Sequence, residues 1–183
     1  MRGELVALRA RRESDGPILI SELHNDVVTR SRGDNRPWRP LAPEAPDSPY
    51  APRPAVDEFV PFSVVELATD ELAGEALLWG IDTHNRSAHL GISLRPGCRG
   101  RGLGLDTVRV LCEYGFAVRG LHRIQVETLA DNAAMLKAAA RAGFTVEGTR
   151  RGAGWVYGRF MDEVILGLLV DEWAPNGPPG AVA

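Results

Sequence analysis

The sequence predicts an α/β domain of the α+β kind: a mixed, largely antiparallel sheet with flanking helices. Two patterns carry this expectation. Apolar runs at 62–67, 74–81 and 88–94 follow one another across short polar turns, as hairpin-linked strands do. Residues 103–119 and 132–142 instead carry helical spacing, and a strand-like alternation at 123–128 lies between them. The size agrees, since 183 residues that are 44% apolar and 25% charged suffice for one domain with a real core.

Composition also excludes function classes. A net charge of -3 and a pI near 5.8 argue against a dedicated nucleic-acid binder, which usually exceeds a pI of about 9. The positive charge is twenty Arg and a single Lys, Lys137, an excess given no chemical meaning. Cys98 and Cys112 form no CxxC pair, so no zinc knuckle or redox motif is expected, and no metal. No run of about 18 apolar residues could cross a membrane, and the first residues lack the apolar core of a secretory leader. The expected setting is cytoplasmic.

Along the chain, residues 4–8 read as a strand. Residues 14–25 read as a helix, capped by Ser14 or Asp15, with Pro17 in the first turn and Ile18, Leu19 and Leu23 as a partial stripe. Within an insertion at 31–61, Pro37, Pro40, Pro43, Pro46, Pro49 and Pro52 recur every third residue, the period of polyproline II. It reads as an extended surface loop, or as a semi-rigid flap over a cleft. Beyond the three hairpin-linked strands and a turn at 82–86, a glycine-rich stretch opens the 103–119 helix. The alanine-rich helix has Asp131 or Asn132 as its cap and Gly143 past its end. Strands at 144–147 and 163–170 close the sheet. One domain, 1–173, is expected, with a disordered tail at 174–183.

The chemistry concentrates between Gly91 and Gly104, where a strand runs into Gly97, Gly100, Gly102 and Gly104 and a helix follows. Closely spaced glycines expose backbone N–H groups, and a helix N-terminus adds roughly half a positive charge. With Arg99 and Arg101 alongside, the stretch reads as a phosphate or pyrophosphate cradle. It has no GK[ST], and its glycines read GxGxG where a dinucleotide fingerprint has GxGxxG.

Arg99-x-x-Gly102-x-Gly104 matches the (Q/R)xxGx(G/A) signature of the GNAT acyl-CoA transferases. Asn132, with Met135 three residues on and Gly143-Phe144 beyond, resembles their second signature. The opening Leu5 to Arg9 and the run from Glu147-Gly148 through Trp155 to Asp162 resemble the ribosomal-protein N-terminal acetyltransferase branch, RimJ/RimL-type. The resemblance implies the GNAT fold: six to seven strands with a V-shaped splay between two central ones. It further implies acetyl-CoA as co-substrate, with its pyrophosphate on the amides of Arg99, Gly100, Arg101, Gly102, Leu103 and Gly104. Its pantetheine arm would pair with Ile92, Ser93 and Leu94 and bond to Asn132, and Arg141 would lie near the CoA phosphates. Read alone, Asn132 also fits a plain helix cap, and Arg141 a solvated helix face.

The catalytic positions depart from the family. Ala139 stands where many members place an acidic tyrosine, and Met135 and Gly154 stand where the branch places a serine and a glutamate. Two candidates remain. His89 begins the strand expected to pair with the cofactor, and an imidazole ordinarily titrates near 6.5, which suits a general base. Tyr157 could reach the cleft from the last hairpin. Trp38, Tyr50 and Trp155 are expected to wall an acceptor pocket, and Glu44, Asp47, Asp57 and Glu58 to flank the flap.

The expected activity is transfer of an acetyl group to a primary amine: a peptide or protein N-terminus, or a small metabolite or antibiotic. An α-amine, with a pKa of about 7.7–8.0, needs the least help from a base. The alternatives are an acyl-CoA-binding module with little activity, and a transferase of a longer acyl group such as succinyl. A homodimer is implied by family analogy alone.

Overall fold

A computed structural model gives the fold and describes residues 1–34, 36–42, 45, 48–53 and 56–174. The expected tail therefore lies outside the described residues except for Ala174, as do Glu44, Asp47, Pro43 and Pro46 of the proline-rich run. No helix among the described residues is long and apolar enough to cross a membrane.

Among the described residues seven strands form one sheet: β1 Val6–Arg9, β2 Phe59–Glu66, β3 Leu72–Asp82, β4 Ser87–Leu94, β5 Arg123–Leu129, β6 Thr145–Val156 and β7 Arg159–Leu169. Their order is β1-β2-β3-β4-β5-β7-β6. Every neighbouring pair is antiparallel except β4 and β5, which run parallel at the centre. Among the described residues the α-helices are α1 Asp15–Leu19, α2 Val27–Gly33, α3 Leu103–Glu113 and α4 Ala133–Arg141. α1 continues as a π-helical turn over Ile20–His24, and α3 as another over Tyr114–Val118.

The parallel pair follows from α3, which carries the chain back across the sheet as a crossover must. α3 buries Val108, Leu111 and Cys112 against Leu90, Ile124 and Val126, while Ala139 of α4 and Phe144 extend the same core. Even-numbered residues of β4 and β5 thus face α3 and α4. The odd-numbered ones, His89, Gly91, Ser93, Gln125 and Glu127, face the opposite side. The chain before β1 is tied to α3, since the amides of Glu4, Leu5 and Val6 donate to the buried Asp106 carboxylate at 3.2, 2.7 and 2.9 Å.

Several boundaries depart from expectation. Ser14 makes no side-chain cap. Asp15 is no cap either: it is 3% exposed and bound to Arg9, the Arg12 amide and Ser63. The insertion ends earlier than residue 61, because β2 begins at Phe59. Pro61 is tolerated there because β1 pairs only with Ser63–Glu66, leaving that end of β2 an edge. α2, capped by Asp26 through the Thr29 amide, begins before the insertion and takes up its first three residues. The hairpin of β6 and β7 is far longer than the strands expected at 144–147 and 163–170.

Candidate active site

The last rung joining β4 to β5 is His89↔Gln125, after Ser87↔Arg123 and Ala88↔Ile124. Beyond it β4 keeps its pairing with β3, and β5 keeps its pairing with β7. The two central strands therefore splay into a wedge whose walls are Leu90–Leu94 and Val126–Leu129. Backbone groups along these inner edges are free of each other, as an inserted strand-like ligand requires.

Where β4 ends, the chain makes a short 3₁₀ turn at Pro96–Cys98 and enters the glycine loop. Gly100 and Gly102 have φ of 74° and 85°, and Gly102 caps α3. Left-handed glycines alternating with ordinary residues at a helix start form a concave nest of N–H groups suited to an anion. Residues 99–102 are exposed. Leu103 is buried, and a methyl group on Gly104 would stand 3.7 Å from Leu94 and 3.8 Å from Ile92, so α3 packs directly on the end of β4.

The arginines are held differently. Arg99 Nε donates to the Leu94 carbonyl at 2.9 Å, whereas Arg101 pairs with Glu66. Arg95, just before the loop, donates to both carboxylate oxygens of Glu22 and to the Leu72 carbonyl. Glu22 sits in the π-helical turn, closed by the Asn25 amide donating to the Ile20 carbonyl at 2.9 Å. Such turns re-aim side chains within a helix. Here the turn ties α1 to the cradle, and this strap is not readable from the sequence. α2 then reaches toward the wide end of the wedge, where Arg32 pairs with Asp131.

Asn132 caps α4, accepting from the Met135 amide at 3.2 Å and donating to Thr128 Oγ1 at 2.9 Å. Both polar ends of its side chain thus have partners within the fold. Arg141 is exposed and borders a groove of about 270 Å³ together with Arg2, Asp106, Arg109 and Trp173. Ala139 is fully buried. A methyl group at Gly154 would stand 2.9 Å from Leu129, so no side chain fits there without displacing Leu129.

His89 lies at the wedge vertex on the face opposite α3. It stacks on Trp79 at 4.2 Å, and its Nδ1 is 3.7 Å from Glu127 Oε1. Tyr157 is placed otherwise: with Gly158 it forms the two-residue hairpin turn, at φ 40° and 92°, and is 70% exposed. Gly167 of β7 pairs with Gln125, and β7 begins at Arg159. Roughly 26 Å of strand, at about 3.3 Å per residue, therefore separates the vertex from that turn.

The three expected pocket aromatics divide. Trp38 and Tyr50 both meet His24, at 6.0 and 6.3 Å between ring centres. Tyr50 is 1% exposed: it belongs to a second small core with Leu19, Ile20, Leu23 and Leu72 and walls no open pocket. Burial pushes its phenol above the ordinary range, with Glu75 adding to the effect. Beneath it the Glu75 carboxyl, also raised by burial, is paired with Arg11, whose guanidinium lies 5.6 Å from the Tyr50 ring centre. Trp155 packs on Phe160 of β7 at 4.8 Å and remains exposed on the β6–β7 hairpin. Among the described residues no three His, Cys, Asp or Glu side chains cluster as metal ligands would.

Residues 6–145 match the acetyltransferase (GNAT) domain model, and the chain belongs to that family. Among curated relatives, an uncharacterized N-acetyltransferase, p20, of Bacillus licheniformis is 31% identical over 113 residues, covering 62% of this chain. The spermidine N(1)-acetyltransferase of Vibrio cholerae is 28% identical over 110 residues, covering 60%. In each case the match spans 64% of the relative's own length. Among solved structures, Vibrio cholerae spermidine N-acetyltransferase in complex with CoA and spermine superposes with a TM-score of 0.78. It is 21% identical, and the superposition covers 92% of this chain and 97% of that one. The ribosomal-protein-S5-alanine acetyltransferase of Vibrio fischeri gives a TM-score of 0.75 at 20% identity, covering 96% and 98%. These likenesses bear out the expected fold.

Proposed function

We infer that the protein transfers an acyl group, in the first instance acetyl, from acyl-CoA to a primary amine. The observation that carries this reading is the wedge between β4 and β5 running into the glycine nest at the start of α3. The nest offers donors to the pyrophosphate of acetyl-CoA as the co-substrate. The edge of Ile92, Ser93 and Leu94 turned away from β3 offers backbone partners to the pantetheine amides once Arg99 releases the Leu94 carbonyl, and the vertex receives the thioester. Arg99 and Arg101 reinforce the nest, the second after leaving Glu66. Asn132 would trade its bond to Thr128 for one to the pantetheine arm, and Arg141 would meet the CoA phosphates from α4.

Backbone N–H groups of the splayed strands would polarise the thioester carbonyl, and a thiolate leaves readily because a free thiol has a pKa of about 8.5. The amine then needs only to arrive neutral, and in this reading His89 at the vertex takes its proton. The acceptor is a small amine or a peptide N-terminus entering between α1–α2 and the sheet, past Trp38. A ribosomal-protein-branch activity is supported by the β6–β7 hairpin motif, and a polyamine acceptor by the curated spermidine relative. A homodimer, with the exposed β6 edge as its natural surface, accompanies this reading.

A second reading, an acyl-CoA-binding module, is favoured by one observation: the buried Ala139 and the occluded Gly154 leave two family acid/base positions without a titratable group. One experiment separates the two. The protein is incubated with acetyl-CoA and a panel of dipeptides, polyamines and aminoglycosides, and free CoA is followed with a thiol reagent from pH 6 to 9. Thiol release that depends on one amine class is expected. Acetyl-CoA that binds in a titration, without release for any amine, would establish the binding module instead.

A further inference from the structure

We propose that Glu127 is a positioning residue for catalysis, acting through His89 as a carboxylate–imidazole pair. The proposal rests on the transferase reading above and names a residue that no sequence pattern singled out. Glu127 is the first residue of β5 beyond the last rung whose side chain shares a face with His89. Its carboxylate is braced on both oxygens: Gln125 Nε2 donates to Oε1 at 2.9 Å, and Arg150 Nη2 donates to Oε2 at 3.0 Å.

Arg150 also donates to Glu163. The trio Glu127, Arg150 and Glu163 therefore carries one uncompensated negative charge beside the vertex, while the adjacent Arg123–Glu147 pair is neutral. Of the charged groups on the neighbouring strands, the Glu127 carboxylate is the one that His89 meets. His89 Nδ1 is buried without a hydrogen-bond partner, and the nearest carboxylate oxygen it faces is Glu127 Oε1 at 3.7 Å. A negative oxygen there fixes the hydrogen on Nδ1 and leaves the lone pair on Nε2.

The other edge of the ring is kept clear. A methyl group on Gly80 would stand 3.2 Å from His89 Cδ2 and 3.9 Å from Nε2, and Trp79 stacking sets the ring plane. The imidazole therefore has a fixed plane, a fixed tautomer and a basic nitrogen on its open edge. In the reaction an ammonium acceptor gives one proton to Nε2, and the neutral amine attacks the thioester carbon. As the C–N bond forms and the C–S bond breaks, a second proton passes from the amine nitrogen to the departing thiolate. The imidazolium returns its proton to solvent, so the products are the amide, CoA thiol and one proton.

The test is a double-mutant cycle on the amine that wild-type protein uses best, together with ¹⁵N spectra of the imidazoles. H89Q is expected to lower kcat about 100-fold, the usual scale of a lost general base. E127A is expected to lower it about tenfold with the KM for acetyl-CoA unchanged, and E127D to recover part of the loss. The double variant H89Q/E127A is expected to be no slower than H89Q alone, because Glu127 acts only through His89. The His89 signals are expected to show the proton on Nδ1 in wild type and to redistribute in E127A.

An E127A loss that persists in the H89Q background would overturn the proposal, and so would a tautomer that E127A leaves unmoved. The tautomer is read without turnover. Should wild-type protein release no thiol with any amine, the transferase reading fails, and the spectra alone still decide whether Glu127 governs His89.

Discussion

At the scale of single residues, Asp15 shows how the structure spends a charge that the sequence offered as a helix cap. Burial would raise its carboxyl, but bonds from Arg9, the Arg12 amide and Ser63 outweigh it and lower the group from 3.8 to about 2. A carboxylate held below its unfolded value adds stability that is complete above about pH 4 and fades as the pH falls toward 2. D15N is therefore expected to lose about 2 kcal/mol at pH 7 in urea unfolding, with the gap to wild type narrowing at pH 2.5. A gap independent of pH would place the loss in packing. Asn132 was legible as a helix cap because it directly precedes an alanine-rich run. Glu127 was not, because a strand's alternation gives the face of a side chain and says nothing of Arg150 arriving from β6. Tyr50 misled because a proline-rich setting reads as exposed, whereas Arg11 and Arg30 lie against its ring from distant parts of the chain.

At the scale of elements, the β3–β4 pairing leaves no room for a side chain at Gly74, which pairs with Leu94 at the cradle end of the wedge. A methyl group there would lie 2.2 Å from the Ser93 carbonyl oxygen and 2.9 Å from Leu94 Cα, both backbone atoms with nowhere to go. Gly74→Ala is expected to push β4 outward, lowering the melting temperature and weakening acetyl-CoA binding at least tenfold by calorimetry. Unchanged affinity would mean that the strand edge does not seat the cofactor. The helices α3 and α4 and strands β2 to β5 were readable because each carries an apolar run or stripe that joins the core. α2 has no buried residue, so no apolar stripe announced it. β6, rich in glycine and arginine and mostly exposed, carries no alternation either; its partner β7 reveals it.

At the scale of the whole molecule, the core around α3 encloses both thiols. Cys112 is 1% exposed, and burial pushes it up to about 12; Cys98 is 7% exposed. Neither is expected to react with a thiol reagent in the folded protein, whereas two thiols should titrate once it is denatured. Rapid labelling of Cys112 under native conditions would show that α3 lifts off the sheet. The same burial makes a thiol-release assay clean, since the protein adds no background of its own. The seam between β4 and β5 has a consequence of another kind. With three rungs joining four strands on one side to three on the other, the sheet resembles a book bound only at the foot of its spine. A cofactor laid into the gap would act as the missing page, bonding to both leaves, so cofactor supply would set how stiffly the two halves are held as well as whether chemistry occurs.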